Sequence, residues 1–343
     1  MPVDSTVLFV SLDDLYFSDH SLLDLASKFT LAGGKKLLLD EMYKYPDWSG
    51  ELNLIYDENP ELQVVFISSS ILEIYRGDSD LSRRAVSYLL HELSLREFIE
   101  LELGTVLPAV LRDQVLNDHL SISHQILEQI KPTPIFQNYL KWRVYPFFMD
   151  GKENHLGKLR KTVQLTLEID LNAMENMDYK MLFKLKKLIR LIGTSASFTP
   201  NVSELSQKIG ISRPSLLRAF DLLERARILQ SLHKPNLGIG ALTKPEKLYL
   251  SNTNLAYALG EENVNVGSLR ETFFANQLNV SSQVNLVPKS DFIIDKNPRL
   301  KLSGKIKVEF RFKESHLHSL LKMILHMGLV ATFHCGYLGF CIE

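Results

Sequence analysis

Leu37, Leu38 and Leu39 form an unbroken apolar run between Lys36 and the acid pair Asp40-Glu41. A run this short and this apolar suits a strand buried on both faces rather than an amphipathic helix. Two similar runs flank it. Val7-Leu8-Phe9-Val10-Ser11-Leu12 precedes Asp13-Asp14, and Val64-Val65-Phe66-Ile67 precedes Ser68-Ser69-Ser70. Between the first two runs, Leu22, Leu23, Leu25, Ala26 and Phe29 recur at helical spacing until Gly33-Gly34 stops the pattern. Between the second and third, Asp47-Trp48 leads into a helix through Leu54, Ile55 and Tyr56, and Pro60 ends it. Strand, helix, strand, helix, strand predicts a parallel sheet covered on both faces. Ligands of such sheets bind beyond the C-terminal ends of the strands, where the acids and serines fall.

Residues 85 to 195 read as mostly helical, punctuated by Pro132, Pro134 and Pro146, with a boundary near Thr199-Pro200. Residues 202 to 229 read as helix, turn, helix. Gly210 sits at the turn, Ser212 can cap the second helix, and Pro214 fits its first turn. A glycine-containing stretch, 230 to 250, follows, and an α/β region starts near 251. Ser94 and Glu97 have the spacing of a capping box, a purely structural device.

A chain of 343 residues has room for two or three domains. Its net charge of −1 gives no argument for nucleic acid or an acidic membrane surface. No apolar run reaches the roughly 18 residues a membrane span needs. No basic segment and apolar core open the chain as a secretory signal does. Cysteine occurs only at Cys335 and Cys341, which excludes a disulfide scaffold and fits a reducing cytoplasm.

The series Leu37-Leu38-Leu39-Asp40-Glu41, an aromatic, Asp47-Trp48, a helix and a strand ending in Ser68-Ser69-Ser70 has a known counterpart. With Arg83-Arg84 and the Leu93-Ser94-Leu95-Arg96-Glu97-Phe98 box, it resembles the bacterial and archaeal AAA+ ATPases that join an AAA+ module to a winged helix and a nuclease-like C-terminal domain. The resemblance runs from Met1 to about Asp295. It implies an α/β plus α fold: a partial P-loop AAA+ parallel sheet over 1–100, a helical lid or linker over 101–198, a winged helix over 199–250 and an incomplete nuclease-like α/β domain over 251–297. It also implies ATP and Mg²⁺ as cofactors and a homo-oligomer or DNA as partners, with no membrane. Asp40 then takes the place of the acid that holds Mg²⁺, and Glu41 that of the acid that polarises the attacking water. Ser69 or Ser70 takes the place of the polar sensor, and Arg83 or Arg84 that of the phosphate-sensing arginine.

The phosphate-cradling string G-x-x-x-x-G-K-[ST] does not occur. Gly34-Lys35, Gly151-Lys152, Gly157-Lys158 and Gly304-Lys305 are each followed by something other than Ser or Thr. The expectation is therefore an N-terminally truncated ATPase with weak or absent ATP affinity, because amides and a lysine charge that bind the phosphates are missing.

Within the winged-helix resemblance, Arg213, Ser215 and Arg218 would face a DNA groove, with Arg225 and Arg227 behind. Asp221 and Glu224 share the same helix, and such modules also serve as plain packing units. Within the nuclease resemblance, Glu271 in Gly267–Phe273 and Asp291 in Pro288–Ile294 match the opening helix and first acidic strand. The Glu-x-Lys strand that should follow to complete a metal site is absent. A non-enzymatic DNA-binding or regulatory module is thus the alternative to an ATPase, and an unstable product of a broken gene is a third reading.

Residues 298–343 hold both cysteines, four histidines, seven Lys or Arg and only three acids. Codons exist for Thr332–Glu343 that read, from their third base, Ile-Pro-Leu-Trp-Val-Phe-Gly-Phe-Leu-Tyr and then a stop. That is the type of apolar strand with which the resembled family ends. Codons upstream permit the same frame to open with Phe-Glu-Val. The expectation is a frameshift near Lys296 to Pro298 that replaced the original C-terminus.

Overall fold

The computed structural model of the chain describes residues 5–67, 81, 83–110, 112–151, 153–171, 177–194, 199–233, 244–260, 266–280, 284–287, 290–294 and 299–300. They fall into two compact units, one of residues 5–90 with 169–171, the other of 91–168 with 177–300. The expected out-of-frame tail lies outside the described residues apart from 299–300, as do Ser69 and Ser70.

The first unit is a three-stranded parallel sheet in the order β1 (Val7–Ser11), β2 (Lys36–Asp40), β3 (Gln63–Phe66). Helix α1 (Leu22–Leu31) joins the first pair and α2 (Trp48–Glu58) the second. Ser21 caps α1 by accepting the Asp24 N–H at 3.1 Å. Gly33, at φ +89°, ends the helix, with Gly34 N–H donating to Phe29 C=O at 2.9 Å. The two helices pack against each other. Their shared core takes Leu8, Val10, Leu37, Leu39, Val64 and Phe66 from the sheet. Side chains alternate along a strand, so these six define one face.

The opposite face carries Val7, Phe9, Leu38, Val65 and, just past β3, Ile67. Register sets Phe9 beside Leu38 and Leu38 beside Val65. Leu38 and Val65 are half-buried, whereas Phe9 is 61% exposed, Ile67 43% and Val7 37%. The expectation of a sheet covered on both faces therefore fails for the described residues. Both crossovers run in the same direction across the sheet, which with their usual right hand puts both helices on one side.

The second unit opens with α3 (Leu95–Leu103). Its capping box forms as expected: Ser94 Oγ accepts the Glu97 N–H at 3.2 Å and Glu97 Oε2 accepts the Ser94 N–H at 2.8 Å. Next come α4 (Arg112–Gln129, kinked at Asp118), α5 (Pro132–Trp142), α6 (His155–Leu165) and α7 (Tyr179–Thr194). Helices α8 (Val202–Ile209) and α9 (Arg213–Arg225) are joined through Gly210, at φ +78°. Ser212 Oγ accepts the Ser215 N–H at 3.2 Å to cap α9. Lys184 and Lys187 of α7 donate to the carbonyls of Gly210 and Lys208, satisfying the C-terminal end of α8.

Strands β4 (Leu229–Leu232) and β5 (Lys247–Leu250) then pair antiparallel. Helices α10 (Thr253–Gly260) and α11 (Val266–Asn279) follow, and then an antiparallel sheet of β6 (Val284–Val287), β7 (Ser290–Ile294) and β8 (Arg299–Leu300). The α10 helix is buried along most of its length and packs on α5, α6 and α7. One apolar cluster links Leu95, Phe98, Tyr139, Phe148 and Phe273 across α3, α5, the 3₁₀ turn Pro146–Asp150 and α11.

Candidate functional site

Asp40 is the last residue of β2 and stands beside Ser11, the last of β1, at the C-terminal edge of the sheet. Its Oδ1 accepts the Glu41 N–H at 2.8 Å, which turns the chain out of the strand. Glu41 takes the left-handed conformation, at φ +52°. For a residue with a Cβ this costs on the order of 1 kcal/mol. A single 3₁₀ turn, Met42–Lys44, follows. Met42 is fully buried in the helix-covered core, so the turn is anchored from below.

That turn returns Lys44 to the strand ends. Its Nζ lies 2.9 Å from Asp13 Oδ2 and 3.3 Å from Glu41 Oε2. Ser11 Oγ donates to the other Asp13 oxygen at 2.6 Å. The Ser11 hydroxyl and the Lys44 ammonium hold the Asp13 carboxyl below the usual carboxylate range. Asp13, with Glu41, pushes the Lys44 ammonium above the usual lysine range. Ser11, Asp13, Glu41 and Lys44 thus form one polar cluster beside Asp40.

Among the described residues no three His, Cys, Asp or Glu converge to cage a metal. Mg²⁺ in phosphate-binding sites takes one or two carboxylates and fills its remaining positions with phosphate oxygens and water. Asp40 supplies a single carboxylate, which is not an all-protein cage.

The other expected site residues scatter. Arg84 donates to Asn53 Oδ1 at 3.1 Å and to both Asp57 oxygens at 3.1 and 3.0 Å, and lies over the Tyr56 ring, so α2 holds it. Arg83 is exposed. Arg213 and Arg218 are exposed on α9, while Ser215 is engaged by Ser212. The two acids of α9 are occupied locally. Asp221 pairs with Arg225 at 3.1 Å, and Glu224 accepts the Ser231 N–H of β4 at 3.1 Å. Glu271 on α11 accepts from Lys247 Nζ at 3.1 Å and Tyr249 Oη at 2.7 Å, which ties α11 to β5. Asp291 lies on β7.

Lys44 is the residue of this cluster that sequence reasoning missed; Asp13 was read as an acid at a strand end but given no role. The available signal was the Asp-Glu-x-x-Lys spacing of 40–44, which returns a cation to the acid only if the intervening turn is tight.

Residues 3–99 match the model of an AAA domain family, and residues 143–267 match a domain of unknown function (DUF8612). An uncharacterized protein of Methanocaldococcus jannaschii is 23% identical over 239 residues, which cover 66% of this chain and 50% of that protein. The chain therefore spans about half the length of this curated relative. No solved structure matches. Over residues 3–99 the chain resembles an AAA domain, and a three-stranded parallel sheet flanked by helices is compatible with part of such a domain. Among the described residues no helix is long and apolar enough to cross a membrane.

Proposed function

We propose that the chain carries part of the nucleotide-responsive core of an AAA-type ATPase. The observation that carries this reading is the placement of Asp40 and Glu41. They close the central strand of a parallel sheet, inside the span that matches an AAA domain, at the strand ends where such sheets bind ligands. In this reading Asp40 holds Mg²⁺ and Glu41 polarises a water. The phosphates need a cradle of backbone amides and a lysine, and this sequence contains no G-x-x-x-x-G-K-[ST] string to supply it. In this reading the given sequence supplies the sheet-side acids of such a site and no phosphate-cradling string of this type.

Equilibrium dialysis of the purified chain against Mg²⁺-ATP tests this. The expected result is affinity weaker than about 1 mM, below the micromolar range common for enzyme substrates. What binding there is should drop further in Asp40→Asn. Tight binding that Asp40→Asn leaves intact would sink the assignment.

A second reading is DNA contact through α9. Its support is that Arg213 and Arg218 are exposed while Asp221 and Glu224 are drawn into other contacts. In this reading α8, α9 and the β4–β5 pair form a winged helix. Loss of a salt-dependent duplex affinity in Arg213→Ala with Arg218→Ala, with no response to Asp40→Asn, would favour it over the first.

A further inference from the structure

Helix α7 turns one kind of chemistry toward solvent. It carries Lys180, Lys184, Lys186, Lys187 and Arg190 and no acid, on a chain whose net charge is only −1. Leu182, Leu185, Leu188, Ile189 and Ile192 are buried. At about 3.6 residues per turn, the side opposite them presents Tyr179, Lys180, Phe183, Lys187 and Arg190. All five are exposed, Tyr179 at 81% and Phe183 at 62%. A single exposed ring is ordinary. Here two rings stand one turn apart, about 6 Å along the axis, among cations. Lys184 and Lys187 are also held in place. Their ammoniums donate to main-chain carbonyls, of Gly210 at 2.6 Å and Lys208 at 3.0 Å, rather than to carboxylates. Each keeps its charge and further donors for another acceptor. Lys186, at the far edge of the face, pairs with Glu168.

A row of cations with flat rings among them complements a polyanion that carries flat groups. Ammoniums take phosphates, and rings stack on bases that are free of a partner strand. A duplex keeps its bases stacked on one another and leaves the rings unused. A lipid surface fits poorly, because the apolar side of α7 that would enter it is packed in the core. We propose that the outer face of α7 binds single-stranded nucleic acid, with Tyr179 and Phe183 stacking on bases and Lys180, Lys184 and Lys187 holding phosphates. Phosphates and base faces are common to DNA and RNA, so both sugars are accepted. This inference is independent of the ATPase reading. It differs from DNA contact through α9 in the face used and in the form of nucleic acid bound.

The test is fluorescence anisotropy of labelled oligothymidylate and oligouridylate with the full chain at low salt. Both should bind, and a duplex of the same length should bind more weakly. Phe183→Leu keeps the apolar bulk and removes the ring, and should weaken binding about five- to tenfold, the lower end of what a stacked base is worth. Phe183→Trp should retain it. Lys180→Gln should lower the slope of log affinity against log salt by about 0.7. Both positions are exposed, so the core is untouched, and circular dichroism checks that each variant folds. The proposal is overturned by no measurable binding at low salt, by unchanged affinity in Phe183→Leu, or by a duplex bound more tightly than the single strand. Displacement of the oligonucleotide by polyglutamate as readily as by unlabelled strand would also overturn it, and would point to an acidic protein partner. Arg213→Ala with Arg218→Ala separates this face from α9. Oligothymidylate binding should survive that change, and its loss there would assign the strand to α9 instead.

Discussion

Arg227 is held where glycine is the ordinary choice. It follows α9 at φ +57°, with its N–H on Glu224 C=O at 3.0 Å and the Ile228 N–H on Leu223 C=O at 2.9 Å, the closing pattern of a left-handed helix cap. Gly104 and Gly210 end α3 and α8 in the same conformation. An arginine there carries strain that glycine would not. Arg227→Gly is expected to stabilise the chain by about 0.5–1 kcal/mol, read as a higher urea midpoint at unchanged slope. Arg227→Ala, which keeps the Cβ, should give no such gain. Conformation also explains what the sequence left unread at the sheet edge. Asp40 and Glu41 were legible as acids after an apolar strand. Lys44 was not, because its contact depends on the left-handed turn at Glu41, and nothing in residue type predicts a glutamate there.

At the scale of elements, α5, α6 and α10 are joined by one buried amide. Asn254 Oδ1 accepts the Val144 N–H at 2.9 Å and lies 3.3 Å from His155 Nε2. Its Nδ2 donates to the C=O of Tyr139 at 3.1 Å and of Leu140 at 2.8 Å, near the C-terminal end of α5. Asn254→Ala removes the partners of the Leu140 C=O and the Val144 N–H in a fully buried site, while the Tyr139 C=O keeps the Arg143 N–H at 3.2 Å. At about 1–3 kcal/mol for each unsatisfied group, with partial relaxation, a loss of roughly 3–5 kcal/mol is expected in equilibrium unfolding. Asn254→Asp should not rescue it, since a carboxylate cannot donate to two carbonyls.

His155 sits in the same contact, fully buried, stacked on Phe147 and edge-on to Trp142. Burial pushes its imidazole below the usual value of 6.5, Asn254 opposes that, and Arg143 and Lys158 add to it. Burial and Arg227 lower His91 in the same direction. The unfolded chain therefore takes up protons first as pH falls below 6.5. Stability from this source is complete above that value and declines beneath it. Unfolding at pH 7.5 and 5.5 should show the decline, and His155→Gln should make it shallower. Helix ends, caps and turns were readable from the sequence because each is a local signal: Ser94 with Glu97, Gly210, Ser212. The Asn254 junction spans more than a hundred residues and has no local signature.

At the scale of the whole chain, the strands and their parallel pairing were legible and cover was not. The apolar runs of β1, β2 and β3 were read correctly as parallel strands. The inference that both faces are covered came from the same runs, and among the described residues the helices α1 and α2 occupy one side. A periodic pattern reports that a surface is apolar; it does not report what lies against it. In the C-terminal region Glu271, expected as a remnant of a nuclease-like domain, accepts from Lys247 and Tyr249, contacts that no local pattern announces.

Among the described residues one face of the first sheet is uncovered, and that face sets how the protein behaves at the bench. Phe9, Val7 and Ile67 present an oily band to solvent, on a molecule whose net charge of −1 supplies almost no mutual repulsion. Molecules of this kind attract one another as concentration rises. Light scattering should therefore show a negative second virial coefficient at neutral pH. Arginine-containing or mildly alkaline buffers should keep the chain dispersed where plain saline does not.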